Sequence, residues 1–121
     1  MIEEDYVSFE TAKLLKEKGF HQPVELFYSF SGKRGRATSY DWNQTSGDFQ
    51  DYSCITLWMA MKWLREKYEY VVLFDVSAWG SYDWYYVYRG NRYHYEEMTF
   101  NYNEIEEAAE AAIKYCLENL I

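Results

Sequence analysis

Residues 82–102, YDWYYVYRGNRYHYEEMTFNY, carry nine aromatic side chains. Successive side chains of a strand alternate between faces. Tyr82, Trp84, Tyr86 and Tyr88 therefore share one face of an extended chain, with Tyr85 and Val87 on the other. Gly90-Asn91 has the composition of a two-residue hairpin turn. The stretch predicts an antiparallel hairpin, residues 82–89 returning over 92–96. One face of such a hairpin must be covered by helices. More rings are present than one covered face requires, so part of the surface is expected to be committed to a partner.

Three helices are expected around it. Ser8 is placed to cap a helix over residues 8–18, and Gly19 to stop it. A second helix, over residues 55–68 with Ser53 or Thr56 as cap, has two apolar sides. Leu57, Met61, Leu64 and Tyr68 form a core stripe, Ile55, Met59 and Trp63 a second one, and Trp58 stands off the first. A helix apolar on two sides is either sandwiched or exposed to a partner. The third, over residues 104–119, has Asn103 and Glu106 at capping-box spacing and keeps Ile105, Ala108, Ala109, Ala112, Ile113, Cys116, Leu117 and Leu120 on one side,.

Pro23 leads into a strand over residues 24–30, a hairpin loop over 31–35 and a return strand over 36–42. Residues 43–53 read as a polar surface loop. Residues 70–76, with the run Val71-Val72-Leu73-Phe74, predict a central strand buried on both faces,. The order is α-β-β-α-β-β-β-α. It predicts an α+β fold with a mostly antiparallel sheet of four to five strands packed with three helices, in a single domain over residues 1–121. Three ordered matches suggest two αββ units at about 8–42 and 55–89. Leu15-Lys16-Glu17-Lys18 resembles Leu64-Arg65-Glu66-Lys67, Val24-Glu25-Leu26-Phe27 resembles Val71-Val72-Leu73-Phe74, and Ser-Tyr-Asp-Trp occurs at both 39–42 and 81–84. In a chain this rich in Tyr and Trp, chance produces such matches too.

A formal net charge of −8 disfavours binding to nucleic acid, whose phosphates it repels. Lys33, Arg34 and Arg36 are the one dense basic cluster, expected at a solvated hairpin tip. No apolar run reaches the roughly 20 residues of a membrane span. The acidic opening Met1-Ile2-Glu3-Glu4-Asp5 lacks the basic region of a secretory signal,. With two cysteines and no disulfide framework, a cytoplasmic location with reduced thiols is expected.

No motif points to catalysis, a cofactor or a metal. His21 and His94 are isolated, and neither a nucleophile elbow nor a phosphate-binding glycine loop occurs,. Cys116, which could be joined to His94 as a nucleophile, falls on the apolar stripe of the third helix and reads as a structural thiol. Cys54, near the start of the second helix, is the better reactive candidate, because a helix N-terminus lowers a thiol pKa. Asp75 with Asp83, or Asp41 with Asp83, could pair as carboxylates; turn and edge positions explain them equally. Glu106, Glu107, Glu110 and Glu118 lie off the apolar stripe of the third helix and form an acidic face. Such a face is ordinarily solvated, but it can also attract a basic partner or imitate a phosphate backbone.

Three segments carry a family resemblance: VSFETAKLLKEKGF at residues 7–20, TLWMAMKWLRE at 56–66, and EAAEAAIKYCLENLI at 107–121. Together they resemble a family of small proteins of gut Bacteroidetes and of their phages and integrated elements. Ala-Pro often precedes the Thr of the second helix in that family, where this chain has Cys54-Ile55. No activity, cofactor or catalytic residue is established for the family. The resemblance implies an accessory gene of a phage or mobile element, and hence a small binding protein rather than a metabolic enzyme.

The expectation is a non-enzymatic interaction protein. Its contact surface would comprise Trp58, Met59 and Trp63 with rings among Tyr82, Trp84, Tyr85, Tyr86 and Tyr88, and a homodimer is the economical form. The alternatives are an acidic inhibitor or nucleic-acid mimic acting on a host enzyme through the glutamate face, and a ligand-binding domain built on an aromatic platform.

Overall fold

Ser8 begins the first element. Its side-chain oxygen accepts from the Thr11 amide at 3.2 Å and caps α1 (Phe9–Glu17),. At the other end Gly19 takes φ 95°. The Phe20 amide reaches back to the Leu15 carbonyl and the Gly19 amide to the Lys16 carbonyl. This is a Schellman motif, which brings the flanking apolar residues together. Both Leu15 and Phe20 are fully buried.

The computed structural model describes residues 3–44, 50–76, 82–89, 92–102 and 104–121; at 75–76, 82–86, 89 and 92–102 the description is of the backbone alone. The chain divides into two compact units, Met1–Thr56 with Ile121 and Leu57–Leu120. Each is α+β with antiparallel pairing, as the element order predicts. The strands fall into two three-stranded sheets, β2-β1-β3 and β4-β5-β6, rather than one sheet of four to five.

In the first unit, β1 (Val24–Tyr28) pairs with β2 (Arg34–Tyr40), Tyr28 opposite Arg34. The turn has the expected five residues but comes two residues earlier, at 29–33. The Ser29 amide donates to the Lys33 carbonyl and the Gly32 amide to that of Ser29, so the strand ends at Tyr28 and Phe30 projects into solvent at 77% exposure. Gly35 faces Phe27 across the ladder, and a Cβ there would come within 2.8 Å of the Phe27 ring. That ring also stacks on Trp42 at 4.3 Å, and the Trp42 indole N–H donates to the Val24 carbonyl.

The expected polar loop at 43–53 supplies a third strand, β3 (Tyr52–Ser53), on the other side of β1. The cause is one buried polar side chain. Asn43 donates from Nδ2 to the Phe20 carbonyl at 2.7 Å, and its Oδ1 accepts from the Ser53 amide at 2.9 Å. An amide with both ends satisfied can be buried, and here it ties the helix corner to β3. Ser53 thus belongs to a strand and does not cap the second helix.

In the second unit, α2 (Leu57–Tyr68) buries Leu57, Ala60, Trp63 and Leu64. The buried stripe is turned from the expected one: Met61 and Tyr68 are half-buried and Trp63 is inside. The helix leaves through Glu69 at φ 65°, whose amide donates to the Arg65 carbonyl at 3.0 Å. This single-bond left-handed cap usually carries Gly. β4 (Tyr70–Val76) follows at once and pairs with β5 (Tyr82–Arg89), which pairs with β6 (Arg92–Tyr102). β6 is longer than the expected 92–96. β4 is an edge strand and not a central one: Val71 and Leu73 are exposed, while Tyr70 is buried. Its apolar run therefore does not mean burial on both faces.

α3 (Ile105–Tyr115) buries Ala108, Ala109, Ala112 and Ile113, and a π-helical turn, Cys116–Leu120, continues the apolar side. Glu104 occupies the N-cap without a side-chain cap bond, while Asn103, the expected cap, lies outside the described residues. Ile105, expected in the core, is exposed.

The two copies of Ser-Tyr-Asp-Trp do not occupy equivalent places. The first closes β2 opposite the start of β1, where Val24 faces Tyr40. The second opens β5 opposite the end of β4, where Val76 faces Tyr82. Both units run from a helix through a left-handed residue into a strand, but by different corners: Gly19 closes a Schellman motif five residues before β1, whereas Glu69 leads directly into β4.

Candidate functional site

α2 and β4 are joined by a one-residue corner at Glu69, so they run back along each other. Between them lies an open groove of about 570 Å³. Its α2 wall is Trp58, Met61 and Arg65, spaced as one side of a helix; its β4 wall is residues 71–74, and Ile105 of α3 also lines it. Trp58 is 69% exposed, and Met59, Val71, Leu73, Tyr88 and Ile105 are also exposed. Val71 faces Tyr88 across the β4–β5 ladder. Large apolar side chains gathered in this way are uncommon on a surface without a binding role.

Of the expected contact residues, Trp58 lines the groove, while Met59, next to it on α2, and Tyr88, on the sheet, are exposed. Trp63 does not belong to this surface. It is 8% exposed, with its ring edge-on to Tyr68 at 5.3 Å and the Lys67 ammonium 5.2 Å from its centroid. The backbones of Tyr82, Trp84, Tyr85 and Tyr86 lie in β5; their side chains are outside the described residues. Sequence reasoning missed Val71, Leu73, Ile105 and Arg65. For Val71 and Leu73 the signal was an apolar run in a strand with one partner strand, which only the pairing order reveals; Ile105 and Arg65 carried none.

On α3, Glu107 is exposed and Glu106 and Glu110 are half-buried; in the π-helical turn that follows, Glu118 lies 3.9 Å from Lys114. The four glutamates thus differ in burial and pairing and do not present one uniform acidic row.

Both thiols are buried. Burial pushes the Cys54 thiol up, against weaker opposing effects of a Tyr28 hydrogen bond and the Arg34 charge. The helix that was expected to activate it starts three residues later, at Leu57, and burial outweighs the lowering influences. Burial likewise pushes Cys116 up to about 12. Both are therefore poor nucleophiles. Asp41 accepts from the Asn43 amide and lies 3.2 Å from His21 Nδ1. The side chains of Asp75, Asp83 and His94 lie outside the described residues. Among the described residues, no three His, Cys, Asp or Glu side chains gather as a metal site.

The basic cluster is engaged locally. Arg36 pairs with Glu25 at 2.8 Å, and the Arg34 guanidinium lies 5.1 Å from the Tyr6 ring. Among the described residues, no helix is long and apolar enough to cross a membrane. Comparison with protein-family models, curated proteins and solved structures gives no match.

Proposed function

We propose that this chain is a non-enzymatic interaction protein that binds another protein through the apolar surface of its second unit. The observation that carries the reading is Trp58, a tryptophan 69% exposed on the wall of an apolar groove. Tryptophans that anchor protein contacts are large, rigid and amphipathic, and they favour the centre of an interface. The exposed Val71, Leu73 and Ile105 line the same groove and extend the apolar area around it. Self-association of two copies is the simplest form of such a contact.

The resemblance of the three helices supports an accessory role in a phage or mobile element of gut Bacteroidetes, acting in the cytoplasm. The unequal burial of the C-terminal glutamates and the Glu118–Lys114 pair give less support to a phosphate-mimicking inhibitor. Sedimentation and in-cell cross-linking from position 58 test the reading. A cross-linked protein partner, or a dimer lost in Trp58→Asp, supports it. A monomer that yields no cross-linked protein from position 58, under conditions where a buried control position is equally silent, removes it.

A further inference from the structure

We infer that the groove between α2 and β4 takes the extended, apolar C-terminal segment of a partner protein, which adds as a strand to the free edge of β4 and meets Arg65 with its terminal carboxylate. This rests on the interaction reading above and names the occupant of the same surface.

Four consecutive β4 residues, 71–74, line the groove. Side chains of a strand alternate between faces, so a depression on one face is lined by every second residue. Lining by four in a row places the groove along the edge of the strand, where backbone groups are reachable. β4 pairs only with β5 among the described residues, so its other edge has no ladder partner there. An unpaired apolar edge is a template for an incoming extended chain, whose backbone supplies the bonds and whose alternate side chains supply the selectivity.

The opposite wall gives the direction. Trp58 makes one end apolar, and Arg65 stands at the other. Arg65 has no ion pair among the described residues, in a chain of net charge −8. A guanidinium on a groove wall with no carboxylate paired to it among the described residues suits a bidentate anion. The chain itself closes that end, because α2 and β4 are joined there through Glu69 alone. A segment entering from the Trp58 end meets the corner at Arg65, which fits a chain terminus better than an internal residue. From Trp58 to Arg65 the helix rises about 10 Å, and β4 covers about the same distance over residues 71–74. Three to four peptide residues therefore fill the groove.

The test uses the full chain and a library of labelled pentapeptides alternating Val or Ile with Thr and ending in a free carboxylate. Binding is read by anisotropy and by slowed hydrogen exchange of the β4 amides. The expected result is at least one peptide with a Kd below roughly 100 μM, weakened about tenfold or more by C-terminal amidation and by Arg65→Gln, and lost on N-methylation of alternate peptide amides. No binding at roughly 1 mM across the library overturns the inference. Affinity unchanged by N-methylation, or by both amidation and Arg65→Gln, overturns it as well. So does protection of the β4 amides by a second copy in the absence of peptide. If peptides fail while Trp58→Asp still abolishes association with a protein, this inference falls and the interaction reading stands. If Trp58→Asp leaves that association intact, the interaction reading itself falls.

Discussion

Trp58→Ala separates folding from binding more cleanly than any other substitution in this chain. The ring is 69% exposed. An aromatic side chain offers about 150–250 Å² for burial, so roughly 100–170 Å² of Trp58 remains for a partner. At about 25 cal/mol per Å², covering that area contributes about 2.5–4 kcal/mol, or roughly two to three orders of magnitude in affinity. The folded protein itself loses only the covered third of the ring, about 1–2 kcal/mol at the same coefficient, and Ala, the better helix former, offsets part of it, so folding changes by about 1.5 kcal/mol or less. Urea unfolding followed by circular dichroism gives the first quantity. Sedimentation or titration with the partner gives the second. A folding loss of about 3 kcal/mol or more is the signature of an aromatic taken from a core. That result would show the ring to be internal and refute the assignment of the surface.

Other perturbations probe the scaffold and the thiols. Glu69→Gly should raise stability by about 0.5–1 kcal/mol in urea unfolding, since the residue sits at φ 65°, where a Cβ is disfavoured and only part of the gain is lost to chain entropy. Asn43→Leu should cost about 2–5 kcal/mol, because it leaves the Phe20 carbonyl and the Ser53 amide without their buried partner,. Gly35→Ala should cost about 1–3 kcal/mol through the 2.8 Å approach to Phe27, with partial rescue by Phe27→Leu. Cys116 should remain unreactive to thiol reagents until the protein unfolds. Its thiol is neutral in the folded protein up to about pH 12 but ionises near 8.5 when unfolded. The folded state therefore holds the proton in between. The Cys116 contribution is intact below about pH 8.5 and is lost as pH rises towards the folded value, by up to about 1.4 kcal/mol per pH unit. Cys116→Ala should flatten that alkaline loss in unfolding measurements, and an unchanged slope would contradict it.

Much of the fold is legible in local chemistry. Ser8 and Gly19 mark α1 because a cap and a left-handed stop are written in single residues, and the alanines of α3 mark its buried side. β3 was not legible, because it depends on Asn43 reaching Phe20 and Ser53 across the first unit rather than on any pattern in Tyr52–Ser53. The edge position of β4 was hidden for a related reason. Val71-Val72-Leu73-Phe74 reads the same whether a strand has one neighbour or two, and only its pairing shows which. At the site, Trp58 and Met59 stood out because they lie off the helix stripe. Trp63 was misassigned because the buried side of α2 is turned by about one residue, which a short helix with apolar residues on two sides does not reveal. Arg65 carries no sequence signal at all; its interest comes from the groove wall on which it stands.

Hydroxyl-radical footprinting read by mass spectrometry tests the central claim directly, because it reports the two helix tryptophans side by side. In the free protein Trp58 and Met59 should be oxidised several times faster than Trp63. On association, Trp58 and Met59 should become protected while Trp63 stays as it was. Equal oxidation of Trp58 and Trp63 in the free protein, or association that leaves Trp58 as reactive as before, would contradict the assignment of this surface.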